Sequence, residues 1–145
     1  MTKQEYKDIY DFIGAAMEVH ATLGRGMAEA IYQEAIALEL TSRGMTAERE
    51  KALPIYYKGV KLEKTYIADF YYKGIVIEMK SVEELNSDHR SQLFNYMRVS
   101  HTSRGILLNF GESSLRAERY LYLEEEDDFI LLSSNNYKLY ISDLQ

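Results

Sequence analysis

The first 44 residues carry apolar side chains at helical spacing and then stop at glycines. The apolar positions of residues 3–22 are Tyr6, Ile9, Ile13, Met17 and Val19. Such spacing places them on one face of a helix, with charged residues between them. Gly24 and Gly26 break this pattern, and a second helix is predicted from about residue 28 to residue 43, ending before Gly44.

From residue 47 the pattern changes to the alternation and short apolar runs that are typical of strands. The predicted strands cover residues 47–57, 60–66, 67–72, 75–80, 105–110 and 115–123. The third of them is either separate or a continuation of the second. A helix is predicted from residue 88 to about residue 100. The order α-α-β-β-β-α-β-β predicts an α/β or α+β sandwich, in which helices flank a mixed central sheet.

Length and composition favour one domain. The chain has 145 residues and no Cys, which excludes a disulfide scaffold and a thiolate metal site. It has no apolar run of membrane-spanning length and starts without a signal-peptide pattern. We therefore expect a cytoplasmic protein with no membrane partner.

The charge is acidic and unevenly distributed. The net charge is −6, which argues against a general nucleic-acid coat protein. Residues 124–145 carry −5 of this charge, so residues 1–123 are nearly neutral and a locally positive groove remains open. We expect residues 1–123 to form the domain. An acidic linker and a separate hairpin of residues 129–132 and 137–141 would follow.

Two acids stand out because they lie in apolar strands. Asp69 lies between Ala68 and Phe70, and Glu78 lies between Ile77 and Met79. A buried carboxylate without a partner is costly. Lys80 lies on the same strand face as Glu78, two residues later. If the two strands are neighbours, these groups converge into a site for a hard cation such as Mg²⁺ or Mn²⁺.

These residues resemble a known family. Asp69 followed by Glu78-Met79-Lys80 is similar to the core of the PD-(D/E)xK nucleases, with Ala68 where the motif name has Pro. The segment from Gln92 to Tyr96 resembles the Gln-x-x-x-Tyr motif of RecB-like nucleases. The segment from Gly26 to Tyr32 matches the signature of the GxxExxY proteins, which are assigned to the same superfamily.

The resemblance runs from about residue 13 to residue 120 and implies a restriction-endonuclease-like core. It implies a Mg²⁺-dependent nuclease that hydrolyses the phosphodiester bonds of DNA or RNA. Asp69 and Glu78 would be catalytic metal ligands, with Glu29 as a third acid, bound directly or through water. Lys80 would be catalytic through the attacking water or the phosphate. Gln92 would position a nucleotide or the metal shell.

The remaining candidates are substrate-binding residues. Tyr96, one helical turn after Gln92, would support it or touch the substrate. Because the domain is nearly neutral, nucleic acid would need a local basic cluster, for which Arg25, Arg90 and Arg98 are the candidates. Arg90 and Arg98 are eight residues apart and return to nearly one helix face.

Several alternatives stay open. Glu78 and Lys80 also fit a structural ion pair, and Glu29 fits an acid that favours the start of a helix. Tyr96 also fits a core position. At the level of function, the alternatives are an inactive nuclease-fold module for binding or assembly, and a hydrolase of small phosphorylated molecules. A homodimer or a protein partner is left open as well.

Overall fold

A six-stranded sheet forms the centre of the protein, and the computed structural model describes residues 1–144. In chain order the elements are α1 (Lys3–Leu23), α2 (Glu29–Ser42), β1 (Glu48–Tyr57), β2 (Val60–Tyr72), β3 (Ile75–Lys80), α3 (Ser87–Ser100), β4 (Arg104–Asn109), β5 (Arg116–Leu123) and β6 (Asp128–Leu131). Two short 3₁₀ helices cover Glu124–Glu126 and Tyr137–Tyr140. Residues 60–72 are thus one continuous strand.

The strands lie in the sheet in their chain order, from β1 to β6. Strands β3 and β4 are parallel and are joined through α3, whereas every other neighbouring pair is antiparallel. The mixed α+β sandwich that the sequence predicts is therefore confirmed. The sheet also gains β6, which the predicted order does not contain.

Helices cover both faces of the sheet because β3 is apolar on both sides. Ile77 packs with the side chains of α1 and α2, and Val76 packs with those of α3. Alternate residues of a strand point to opposite faces, so Glu78 lies on the α3 side with Val76. None of the helices within residues 1–144 is long and apolar enough to cross a membrane.

Reciprocal hydrogen bonds fix the start of α3. The Asn86 side chain accepts from the His89 N–H at 3.0 Å, and His89 Nδ1 accepts from the Asn86 N–H at 3.1 Å. The helix ends at His101, which has the left-handed φ of 52°. This cap sets where the helix begins and hence which of its side chains face β2.

The prediction of a separate C-terminal hairpin is wrong. Residues 128–131 form β6, which pairs with β5 through contacts such as Tyr120 with Leu131. The second predicted strand is instead the 3₁₀ helix Tyr137–Tyr140. The segment also reaches α1, because the amino group of Met1 donates to the Tyr140 carbonyl at 3.0 Å. The apolar tail residues therefore complete the main sheet rather than pair with one another.

Candidate active site

Asp69 and Glu78 face each other where β2 and β3 separate. The ladder between these strands ends with the pair Phe70 and Ile77. Beyond it, the Asp69 N–H donates to Glu78 Oε1 at 3.0 Å, and the Met79 N–H donates to Asp69 Oδ2 at 2.8 Å. Each carboxylate is therefore fixed to the backbone of the opposite strand.

The sheet is irregular beside these acids. Ala68 packs under α3, whereas Phe70 packs under α1 and α2, although regular alternation would put both on one face. On β1, Glu50 has a left-handed φ of 53° and interrupts the strand pairing at the position opposite Asp69. Such distortions redirect side chains, and this one falls where β2 and β3 separate.

The two carboxyl groups lie close together in a poorly solvated place. Glu78 is 4% exposed, and its burial together with the charge of Asp69 raises its pKa to about 9. Burial raises the pKa of Asp69 above its ordinary value, and the charge of Glu29 adds to this. The Lys80 ammonium acts in the opposite direction on both pKa values. A bound cation would relieve the same repulsion.

The donor set at this pair fits a hard divalent cation. Mg²⁺ is usually held by one or two carboxylates, with water and substrate phosphate completing its shell. Within residues 1–144, no hydrogen bond from the protein ends on Glu78 Oε2, so one oxygen is free to bind. Glu29 lies close enough to influence the pKa of Asp69. However, no three His, Asp or Glu side chains of the described chain are grouped to hold a metal. The structure thus gathers two of the three expected acids.

Gln33 contacts the site but is absent from the residues predicted from sequence. Its Nε2 donates to Asp69 Oδ1 at 3.0 Å, and its Oε1 accepts from Arg49 Nε at 2.7 Å. Gln33 is only 7% exposed. A signal was present, because Gln33 lies four residues after Glu29 and hence on the same face of α2. Gln33 links α2 and β1 to one of the two acids.

Gln92 and Tyr96 come together on the side of α3 that faces β2. Gln92 Nε2 donates to the Tyr96 hydroxyl at 2.9 Å, and the Tyr96 ring lies 4.8 Å from that of Tyr66. Burial and the charge of Glu78 raise the pKa of Tyr96, so this hydroxyl is near the acids. A groove of about 280 Å³ runs here, lined by Tyr66, Asp88, Ser91, Gln92, Asn95 and Tyr96.

Tyr32 fixes the glycine loop that precedes α2. Its hydroxyl donates to the Gly24 carbonyl at 2.7 Å and accepts from the Met27 N–H at 3.0 Å. Its ring stacks on Phe110 with centroids 4.3 Å apart. The Ser81 hydroxyl donates to the Met27 carbonyl at 2.6 Å. The loop is thereby held against the segments that follow β3 and β4.

Arg25 projects from this loop and is exposed. It borders a cavity of about 630 Å³ that Glu83 and Glu112 also line. Two acids therefore share the surface around Arg25, which differs from the purely basic patch expected of a phosphate-binding cluster.

Both arginines of the basic cluster expected on α3 are bonded to acids. Arg90 makes two 2.8 Å hydrogen bonds to the buried carboxylate of Glu118, whose pKa falls to about 2 mainly because of this contact. Arg98 Nε donates to Asp127 Oδ1 at 2.9 Å. Both arginines face β5 and β6, on the side of α3 away from Gln92. They do share one side of the helix, but each is paired with an acid, Glu118 on β5 and Asp127 in the turn before β6.

Comparison with known proteins places the chain in a family. Residues 6–120 match the family model of the PD-(D/E)XK nuclease superfamily. The chain belongs to this superfamily. The matched segment contains both acids, Lys80 and Gln92, and it ends before the acidic segment of residues 124–128. The Asp69–Glu78 pair therefore belongs to a protein of the PD-(D/E)XK nuclease superfamily.

Individual relatives add little to this assignment. No curated protein matches the chain. A solved structure described as "Crystal structure of SSO0001" is similar, with 22% sequence identity and a TM-score of 0.49. The similarity covers 81% of the present PD-(D/E)XK chain and 58% of the other chain, so this chain spans less than two thirds of that protein.

Proposed function

We propose that the protein is a nuclease that uses Mg²⁺ or Mn²⁺ to hydrolyse phosphodiester bonds of DNA or RNA. One observation carries the proposal: Asp69 and Glu78 lie side by side, each bonded to the backbone of the opposite strand. Burial raises both pKa values, with a further contribution from nearby acids, and a bound cation would favour the ionised forms. Membership of the PD-(D/E)XK nuclease superfamily supports the same reaction class.

Each side chain has a distinct task in this proposal. Asp69 and Glu78 would hold the metal ion, which when bound supplies Lewis acidity and lowers the pKa of a coordinated water. Gln33 would keep the Asp69 carboxylate in place. Lys80 would place positive charge beside the attacking water or the phosphate, where negative charge develops during hydrolysis.

The helix α3 would position the substrate. Gln92 and Tyr96 border the groove between α3 and β2, and the Tyr96 hydroxyl is near enough to Glu78 and Asp69 to feel their charge. An amide and a hydroxyl can accept and donate hydrogen bonds to a nucleotide or to metal-bound water. Glu29 would complete the metal shell through a water molecule, because it lies near Asp69 without joining the two acids directly.

Metal binding and cleavage test the proposal in two steps. Thermal unfolding of the full chain is measured in EDTA and in millimolar Mn²⁺. A metal at 100 times its dissociation constant stabilises a fold by about 2.7 kcal/mol. Cleavage is then followed on single- and double-stranded DNA and RNA. Asp69→Asn and Glu78→Gln should lose both effects, whereas Glu125→Gln, a change at an exposed acid, should keep both. Absence of a metal-dependent shift in the unmodified protein would favour a non-catalytic module instead.

A further inference from the structure

Strands β1 and β2 extend well beyond the rest of the sheet. β2 pairs with β3 only through residues 70–72, but it pairs with β1 along its length to Val60. Because β2 and β3 are antiparallel, residues 60–66 run past the end of β3 that carries Glu78 and Lys80. At about 3.3 Å per residue this extension is roughly 20 Å long. The two-stranded ribbon therefore rises beside the candidate active site.

The far end of this ribbon, residues 56–65, is here called the ribbon tip. All ten of its residues are exposed, and Tyr57 and Val60 are 61% and 66% exposed. Its charged residues are Lys58, Lys61, Glu63 and Lys64. The tip thus carries a net charge of +2 in a chain of net charge −6.

The lysines of the ribbon tip differ from the arginines of α3. Arg90 and Arg98 are bonded to acids, whereas no ion pair within residues 1–144 involves any of the three tip lysines. The Lys58 ammonium lies 5.5 Å from the centre of the Tyr57 ring, which carries no charge. These three ammonium groups remain available to an anionic partner.

We propose that the ribbon tip docks in the major groove of duplex DNA and holds that DNA across the active site. This proposal rests on the nuclease function proposed above. The tip presents cations to a polyanion, and most of the affinity for nucleic acid comes from such contacts with phosphates. The apolar surfaces of Tyr57 and Val60 suit the thymine methyl groups of the same groove.

Shape selects duplex DNA over duplex RNA. The major groove of B-form DNA is about 12 Å wide and admits a two-stranded β-ribbon, whereas that of A-form RNA is too narrow. Lys64 lies five residues from Asp69, or roughly 16 Å along the strand. One turn of B-DNA spans about 34 Å, so a single duplex reaches both the acids and the tip lysines.

Binding of a fluorescent 20-base-pair DNA duplex in EDTA tests the proposal, because EDTA suppresses cleavage. Three proteins are compared: the unmodified chain, the triple variant Lys58→Ala/Lys61→Ala/Lys64→Ala, and a control triple variant Lys3→Ala/Lys7→Ala/Lys138→Ala. The control removes the same charge from exposed lysines elsewhere. The tip variant should bind at least about tenfold more weakly at 50 mM salt. Its log–log salt slope should be shallower by about 2 to 3 units, at roughly 0.9 per lost phosphate contact. The control should change both quantities much less.

Three results would overturn the docking proposal. The first is equal loss of binding in the tip and control variants, which would indicate a general charge effect. The second is that an RNA duplex or a single strand binds as tightly as the DNA duplex and that the tip changes weaken its binding equally. The third is that the chain forms a dimer and that the tip changes dissociate it, because the ribbon tip would then contact a second copy of the chain rather than DNA.

A separate measurement distinguishes failure of this proposal from failure of the nuclease function. Glu78→Gln should still bind the duplex in EDTA, and the tip variant should keep the Mn²⁺-dependent rise in melting temperature. If the tip variant binds metal, cleaves nucleic acid and binds DNA as the unmodified chain does, the docking surface alone is refuted. Absence of cleavage by every protein, with tip-dependent binding retained, would refute the nuclease alone.

Discussion

Gln33 donates a hydrogen bond to Asp69 across 3.0 Å and so ties α2 to the strand that carries the first acid. Its other amide atom is occupied by Arg49. The carboxamide is therefore held at both ends, and the Asp69 carboxylate is held with it.

Gln33→Ala should weaken Mn²⁺ binding about 10- to 100-fold, which is the usual cost of losing a group that orients a metal ligand. Titration of the metal-dependent rise in melting temperature measures this affinity. Glu34→Ala, at the exposed neighbouring position of α2, is the matched control and should bind the metal normally. Equal affinities in the two variants would remove Gln33 from the site.

Glu78 should make the metal-free protein less stable as pH rises. Its pKa is about 9 in the fold against an ordinary value of 4.5. Between these values the folded state binds more protons than the unfolded state, so the free energy of unfolding falls with increasing pH. The fall is at most about 1.4 kcal/mol per pH unit. The contribution is fully present below pH 4.5 and is lost as pH rises through about 9.

Urea unfolding in EDTA at pH 6 and pH 8 checks this effect. The unmodified protein should lose about 2 to 3 kcal/mol more than Glu78→Gln over this interval, because glutamine cannot ionise. Glu78→Gln should also be the more stable protein at pH 8. Parallel losses in the two proteins would mean that Glu78 ionises normally in the fold.

Lys80→Ala should separate metal binding from hydrolysis. An ammonium group is not a metal ligand, so the Mn²⁺-dependent rise in melting temperature should persist. Cleavage should fall by orders of magnitude because charge stabilisation dominates phosphoryl transfer. If Lys80→Ala and Glu78→Ala both unfold the protein, the two residues form a structural ion pair instead.

The Arg90–Glu118 pair should contribute to stability rather than to substrate binding. Arg90→Met leaves the buried Glu118 carboxylate without its main partner and should destabilise the fold by about 3 to 5 kcal/mol. Arg98→Met breaks an exposed pair with Asp127 and should cost less than about 1 kcal/mol. Urea unfolding at pH 7 measures both. A fully stable Arg90→Met protein with impaired DNA binding would return Arg90 to the substrate-binding residues.

The same pair has a pH signature of opposite sign to that of Glu78. The pKa of Glu118 is about 2 in the fold, below its ordinary 4.5. Its contribution is therefore present above pH 4.5 and is lost as pH falls toward 2. The stability difference between the unmodified protein and Glu118→Gln should narrow over this interval.

Local patterns predict the helices, most strands and the two acids well. Asp69 and Glu78 are recognisable because each interrupts an apolar strand, and the structure indeed pairs them. Glu118 is not recognisable in this way, because Ala117 and Arg119 flank it and the apolar run of β5 begins only after it. Its partner is equally hidden, because Arg90 reaches it from a helix 28 residues away.

The errors arise where long-range pairing decides the structure. Residues 129–132 read as half of a hairpin, but the free edge of β5 offers a partner that sequence alone does not reveal. Asn136 accepts from the Ser133 N–H and donates to the Leu131 carbonyl, and this turn leads into the 3₁₀ helix Tyr137–Tyr140 rather than into a strand. Gln33 lies on the Glu29 face of α2, but its partners Arg49 and Asp69 come from β1 and β2, and the local pattern does not show those contacts.

Where the β2–β3 ladder ends, two backbone amides donate to carboxylates instead of to backbone carbonyls, and these amides can report whether a cation is bound. The amide protons of Asp69 and Met79 are held by side chains, whereas those of the Phe70–Ile77 ladder are held by the backbone. A cation competes with the first two amides for carboxylate oxygens and leaves the ladder alone. Site occupancy should therefore be readable from amide hydrogen exchange at two backbone positions, with no substrate present.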